Sequence, residues 1–301
     1  MRKKHPVVFG ILLLGLTGVI FYLFVYGLGL MSGQRGSFMS DNKVGVVEVD
    51  GIIGDSQEIV RQLNEFGKEE RIRAVVLRVN SPGGGIAPSQ EIYDAVVELK
   101  KKKKVVASMG SLAASGGYLI SCAADKIVAN PGTITGSISA VMHFANVEEL
   151  LKKVGLKSSV IKSGKYKDIG SPLREMTEDE KTILQNLVDD IYDQFLDTVS
   201  RDRKIAKEQL RSIADGRVFS GRQAQKLGLV DFLGDMGYAV RLAGKMSGIE
   251  GVPEVVYPTV KAPSFWDFVL RNMFWAIMGE LQGGKPGLRG SHYLLNEMTP
   301  A

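Results

Sequence analysis

Hydrophobic positions along this chain fall into short, nearly unbroken runs separated by stretches with helical spacing. Val44–Val49, Ile72–Val79 and Val105–Ser108 are apolar at almost every position, as strands covered on both faces are. Asp55–Phe66 and Pro88–Leu99 place apolar residues on one helical stripe, so strand and helix alternate as in an α/β domain. The pattern continues with an apolar helix from Ser115 to Ala124, a strand Lys126–Ala129 and a loop over Asn130–Ser137. A strand at Ile138–Met142, a short helix at Val147–Val154 and a strand at Ser159–Ile161 are expected next. Thr177-Glu178-Asp179-Glu180 has capping-box spacing and predicts a long helix to about Asp202. Helices over Ala206–Ala214, Ser220–Leu227 and Gly237–Met246 and an edge strand at Glu254–Tyr257 complete the series.

Ahead of this pattern, Val7–Met31 runs for 25 residues without a charge, behind the basic cap Met1-Arg2-Lys3-Lys4-His5. About 20 apolar residues suffice to cross the hydrocarbon core of a bilayer. A signal peptide's apolar region is shorter and ends at small residues, which Leu28-Gly29-Leu30-Met31 does not provide, so the segment reads as a retained anchor. Arg2, Lys3 and Lys4 orient it with the following residues on the outer side of the membrane. The expected plan is a cap at 1–6, an anchor at 7–31, a tether at 32–42, a folded domain at 43–250 and an extension at 251–301. Within that extension Phe265–Leu281 is apolar and aromatic but carries Asp267, Arg271 and Glu280, which suits an interfacial or subunit-packing helix better than a span.

Composition adds little beyond a globular class. The net charge of +5 comes partly from Lys100–Lys104, a solvated helix C-terminus by pattern, and no basic-aromatic interleaving points to nucleic acid. Cys122, the single cysteine, excludes an intrachain disulfide and falls in an apolar helix, where packing is its expected role.

Chemistry is concentrated in two glycine-rich turns that each follow a strand. Met109-Gly110-Ser111-Leu112-Ala113-Ala114-Ser115-Gly116-Gly117-Tyr118 puts Ser115 at a strand-to-helix corner, where unpaired amides favour developing negative charge and small neighbours admit a substrate backbone. An N-cap serine is the competing reading. Asn80-Ser81-Pro82-Gly83-Gly84-Gly85 offers successive amides suited to an oxyanion hole; the Gly-Lys-Ser/Thr continuation of a phosphate loop is absent. A serine nucleophile needs a base. His143 is the one histidine outside the cap and the tail, and Lys162, Lys165 and Lys167 share a loop, where a desolvated amine can accept the proton. Spacing does not choose among them.

These motifs, with Thr135-Gly136-Ser137, Ser163-Gly164-Lys165-Tyr166-Lys167-Asp168-Ile169 and Ser171-Pro172-Leu173-Arg174-Glu175-Met176-Thr177, resemble the short bacterial form of the signal peptide peptidase A family over roughly Val44 to Met246. The resemblance implies a ClpP/crotonase-like spiral of ββα units, preceded here by one N-terminal transmembrane helix. It implies a serine endopeptidase with Ser115 as nucleophile, Lys167 as general base, Ser137 holding the lysine amine, and the amides of Gly84 and Gly116 as oxyanion donors. It further implies cleavage of remnant signal peptides at the bacterial inner membrane, with the catalytic domain extracytoplasmic, in a homo-oligomeric ring, without cofactor or metal. Two alternatives stand beside it: a crotonase-like acyl-CoA enzyme, in which the glycine turns hold a thioester, and a non-catalytic oligomeric scaffold at the membrane.

Overall fold

The computed structural model of the protein describes residues 15–24 and 43–258. Residues 15–24 form a helix, α1, whose residues are all exposed. Among the described residues no helix is long and apolar enough to cross a membrane. The remainder of the expected anchor at 7–31, the tether at 32–42 and the Phe265–Leu281 segment lie outside the described residues. The chain divides after Tyr257, and the second unit, apart from Pro258, is likewise outside them.

The domain is mixed α/β. In chain order it comprises β1 (Lys43–Asp50), α2 (Gln57–Lys68), β2 (Ile72–Ser81), α3 (Ile86–Lys100), β3 (Lys104–Ala114), α4 (Gly116–Cys122), β4 (Lys126–Ala129) and β5 (Ile134–Gly136). There follow α5 (Glu148–Lys153), α6 (Glu178–Arg203), α7 (Lys207–Arg211), β6 (Val218–Ser220), α8 (Gly221–Lys226), β7 (Phe232–Leu233), α9 (Met236–Met246) and β8 (Glu254–Val256). The sheet runs β6-β5-β3-β2-β1-β8, with β4 on β3 and β7 on β4. All pairings are parallel except β5 with β6. β8 joins the edge beside β1, so residues beyond the expected domain boundary at 250 belong to this sheet.

The apolar runs are explained by two cores. Val47, Val49, Val75, Leu77, Val105 and Ala107 face α2, α3, α4 and α6, while alternate residues Val44, Val46, Ala74, Val76 and Val106 face α9 through Ala239, Val240 and Ala243. With side chains alternating across a strand, both faces are covered and most strand positions are apolar; the buried Ser108 of β3 accepts from Arg78 of β2 at 3.0 Å.

β3 is the organising strand, and it is longer than its apolar pattern. Its first half pairs with β4 through Val106–Met109 and its second half with β5 through Leu112–Ala114, so one edge serves two neighbours in succession. Between them the β2–β3 register slips: Val79 lies opposite Met109, but Ser81 opposite Ala113. Buried hydroxyls fix this second half. Thr133 donates to the Gly110 carbonyl at 2.7 Å and Thr135 to the Ala113 carbonyl at 2.6 Å. The expected loop over Asn130–Ser137 therefore contains β5. The strands expected at Ile138–Met142 and Ser159–Ile161 do not form; Val141, Val160 and Ile161 are exposed, with no neighbouring strand among the described residues for them to pair with.

Side-chain caps fix the starts of α6, α8 and α9. Thr177 and Glu180 form the capping box of α6, and Ser220 and Gln223 that of α8. The lysine run after α3 does more than meet solvent: the Lys103 amine donates to the carbonyls of Phe66 and Glu69, closing the C-terminus of α2. Cys122 is buried.

Candidate active site

Ser115 occupies the corner between β3 and α4 with φ 52° and ψ −120°, a conformation that side-chain-bearing residues rarely adopt and that costs about 1–3 kcal/mol. Several contacts offset that strain. The Ser115 N–H donates to the Gly136 carbonyl at 2.9 Å and its carbonyl accepts the Leu119 N–H at 2.9 Å. On the other side the corner is pressed against the loop after β2. A Cβ on Gly83, itself at φ 97°, would lie 2.7 Å from the Gly116 nitrogen and 2.9 Å from the Ser115 Cβ. A Cβ on Gly116 would lie 2.4 Å from the Oγ of buried Ser89, whose hydroxyl donates to the Gly85 carbonyl at 2.8 Å. The small residues are thus needed for approach between two turns.

The hydroxyl of Ser115 makes no capping bond to α4, so the competing N-cap role is not the one it plays. Around it the amides sort themselves. Gly83 N–H donates to Ser81 Oγ at 3.0 Å and Gly85 N–H to the Ile53 carbonyl at 2.8 Å. Among the described residues the Gly84 and Gly116 N–H groups have no acceptor, and both residues line the same cavity as Ser115. Two uncommitted amides beside a free hydroxyl are what a tetrahedral oxyanion requires.

That cavity, of about 500 Å³, lies between α3 and α6 over Leu119. Ile86, Leu119, Val141, Ile191 and Phe195 give it apolar walls. Its far end is polar: Gln90 donates to Gln194 at 3.2 Å, and Arg201 donates to the Tyr93 hydroxyl at 2.8 Å. Tyr93 in turn donates to Asp202, and burial, reinforced by that carboxylate, pushes its phenol up to about 12.

The remaining candidates lie on other segments. Ser137 follows the carbonyl that Ser115 binds, also has φ 52°, and donates its N–H to the Arg217 carbonyl at 2.9 Å. His143 is exposed and does not line the cavity. Lys167 sits in the turns at 163–170; it too is exposed and outside the cavity wall, so this single chain does not gather Ser115 and Lys167 around one cavity. The three loop lysines are nevertheless distinct. Lys162 bonds to Asp168, and Lys165 pairs with Asp179 at 2.7 Å, a bond that holds the Lys165 amine well above its ordinary range. Among the described residues the Lys167 amine has no carboxylate partner, unlike the amines of Lys162 and Lys165. Among the same residues no group of three or more His, Cys, Asp or Glu side chains could hold a metal ion.

Residues 97–250 match peptidase family S49, and residues 47–133 match the Clp protease family. The chain belongs to peptidase family S49. It is accordingly a serine peptidase. A Synechocystis protein provisionally named protease slr0021 is 45% identical over 69% of this chain and 76% of its own length. An Enterococcus faecium protein provisionally named signal peptide peptidase SppA is 35% identical over 65% of this chain and 61% of its own, and Protease 4 of Haemophilus influenzae is 38% identical over 68% and 35%. Among solved structures, ClpP1 of Listeria monocytogenes aligns with a TM-score of 0.46 at 16% identity, covering 65% of this chain and 93% of that one.

Proposed function

We propose that this S49 peptidase is a membrane-anchored endopeptidase that cleaves remnant signal peptides with a Ser115/Lys167 dyad. The observation that carries the reading is the free Ser115 hydroxyl at a strained corner, lining one cavity with Gly84 and Gly116, whose amides are free among the described residues. The Lys167 amine, which lies outside the cavity wall in the single chain, must reach the hydroxyl in the assembled form; there it takes the hydroxyl proton, Ser115 Oγ attacks the scissile carbonyl carbon, and the two amides hold the oxyanion. The protonated amine then passes its proton to the leaving amine. Water, deprotonated by the same lysine, releases the acyl group and regenerates Ser115. Ser137 holds the amine in place while it is neutral.

Apolar walls at Ile86, Leu119, Ile191 and Phe195 support a hydrophobic substrate, as signal-peptide cores are. The anchor is supported by α1, whose Leu16, Val19, Ile20, Phe21, Leu23 and Phe24 are all exposed. Its predicted orientation sets the catalytic domain on the extracytoplasmic side of a bacterial inner membrane. Assembly with further copies is supported by exposed apolar side chains clustered in sequence around α5, among them Phe144, Leu150, Val154, Leu156 and Ile161. The test is cleavage of a peptide library by the purified protein, with Ser115→Ala as control. Cuts at hydrophobic stretches, lost in the variant, support the proposal; cuts confined to polar sequences, or cuts that survive Ser115→Ala, contradict it.

A further inference from the structure

The turn that carries Lys167 is held by a charged clamp that neither the sequence patterns nor the proposed dyad accounts for. Arg174 is its centre. Its Nε donates to Asp168 Oδ2 at 2.9 Å and its Nη2 to Asp168 Oδ1 at 2.9 Å, a two-point grip on the carboxylate next in sequence to Lys167. The same guanidinium reaches the first turn of α6, where Nη1 donates to Glu180 Oε2 at 2.8 Å and Nη2 to Glu180 Oε1. Glu180 is 2% exposed and also accepts the Thr177 N–H at 2.9 Å as the second half of the capping box. Lys162 closes the loop from its other side by bonding Asp168.

The arrangement joins the turn to the longest helix of the domain by one side chain. A buried carboxylate in a helix's first turn is needlessly expensive for capping alone, because an exposed Glu or Gln at that position caps as well; Gln223 does so for α8. Its burial is explained by the guanidinium it shares with Asp168. Charge-assisted bonds of this kind keep the partners ionised: the Arg174 bonds, then that of Lys162, hold the Asp168 carboxyl well below the usual range, and the Arg174 bonds with the Thr177 amide take Glu180 to about 2.

We infer that Arg174, gripping Asp168 and Glu180, is a positioning residue that fixes the turn bearing Lys167 against α6 so that its amine is presented in one orientation. The inference rests on Lys167 being the base. Because a displacement of about 1 Å at a reacting group can cost about 100-fold in rate, loosening the turn acts on kcat and leaves the cavity that binds substrate largely intact.

The experiment compares steady-state peptide hydrolysis and thermal unfolding for Arg174→Gln, Arg174→Lys, Glu180→Gln and Lys167→Ala. Arg203→Gln is the control for mere destabilisation, since it breaks a comparably buried pair, Arg203 Nη1 to Asp231 Oδ2 at 2.9 Å, away from the turn. Arg174→Gln is expected to lower kcat about 10- to 100-fold with KM within about threefold, and Arg174→Lys, which keeps the charge but loses the fork, to recover only part of the loss. Glu180→Gln should lower kcat less than Arg174→Gln does and stands in for it if that variant does not fold. Arg203→Gln should lower the melting temperature with kcat nearly unchanged. Wild-type kcat in Arg174→Gln or, where that variant is not folded, in Glu180→Gln, beside an inactive Lys167→Ala, overturns the inference alone. The same kcat loss in Arg203→Gln as in Arg174→Gln also overturns it. An active Lys167→Ala instead overturns the reading of the base, and the inference with it.

Discussion

The Ser115 N–H donates to the Gly136 carbonyl at 2.9 Å, so the Ser115 corner is tied to the turn that carries Ser137. Both serines have φ 52°, and Gly136 between them in space has φ 89°. A Cβ at Gly136 would stand 2.7 Å from the Phe219 ring, in a backbone conformation costing about 1–2 kcal/mol for a side-chain-bearing residue. Gly136→Ala is therefore expected to destabilise the fold and to lower kcat about tenfold or more by moving that carbonyl. Kinetics on the folded variant check it.

Gly83 and Gly51 both have positive φ, 97° and 71°, but only Gly83 is crowded. Gly51→Ala meets open space and should cost about 1–2 kcal/mol in stability with activity retained. Gly83→Ala drives a methyl into Ser115 and the Gly116 amide, and should abolish turnover. Denaturant melts and peptide assays on the pair separate strain from site geometry.

Burial pushes the Cys122 thiol up to about 12, so it holds its proton at neutral and mildly alkaline pH. A thiol reagent at about pH 8 should leave the native protein unlabelled and label it at one site after denaturation. Rapid labelling of the folded protein would contradict the packing described for α4.

The Asp168–Arg174–Glu180 clamp predicts a direction of acid sensitivity. Both carboxylates titrate lower in the folded chain than in the unfolded one, so their contribution is complete above their ordinary ranges and is lost as pH falls toward about 2, the value for Glu180. The stability difference between the wild type and Arg174→Gln should be constant above about pH 5 and shrink below it. A difference that widens on acidification contradicts the assignment.

Much of the architecture follows from local pattern. The apolar runs of β1 and β2, the capping box of α6 and the apolar stretch after Ser115 each announce their element. What escapes is non-local. The second half of β3 reads as a turn because Gly110 and Ser111 are poor strand formers; Gly110 is there because a Cβ would meet Asn80 Oδ1 at 2.9 Å, and the strand is completed by β5 from further along the chain. Ile138–Met142 and Ser159–Ile161 fail for the converse reason, having strand composition and no partner. At the site, the glycines mark the Ser115 corner by sequence alone. Separating Lys167 from Lys162 and Lys165 by residue spacing is impossible, because the difference lies in Asp168 and Asp179, whose approach depends on how the loop folds. Arg174 is hidden similarly: its partners lie six residues away on either side, a spacing that no regular element makes meaningful.

The most direct test of the central claim is hydrolysis of a hydrophobic peptide by the protein carrying Lys167→Ala, with Lys165→Ala and His143→Ala assayed beside it. The account predicts a fall of at least about 100-fold for Lys167→Ala, with the fold and substrate binding retained, and near-normal rates for the other two. Near-normal turnover in Lys167→Ala, with the loss appearing in His143→Ala or Lys165→Ala, would contradict it.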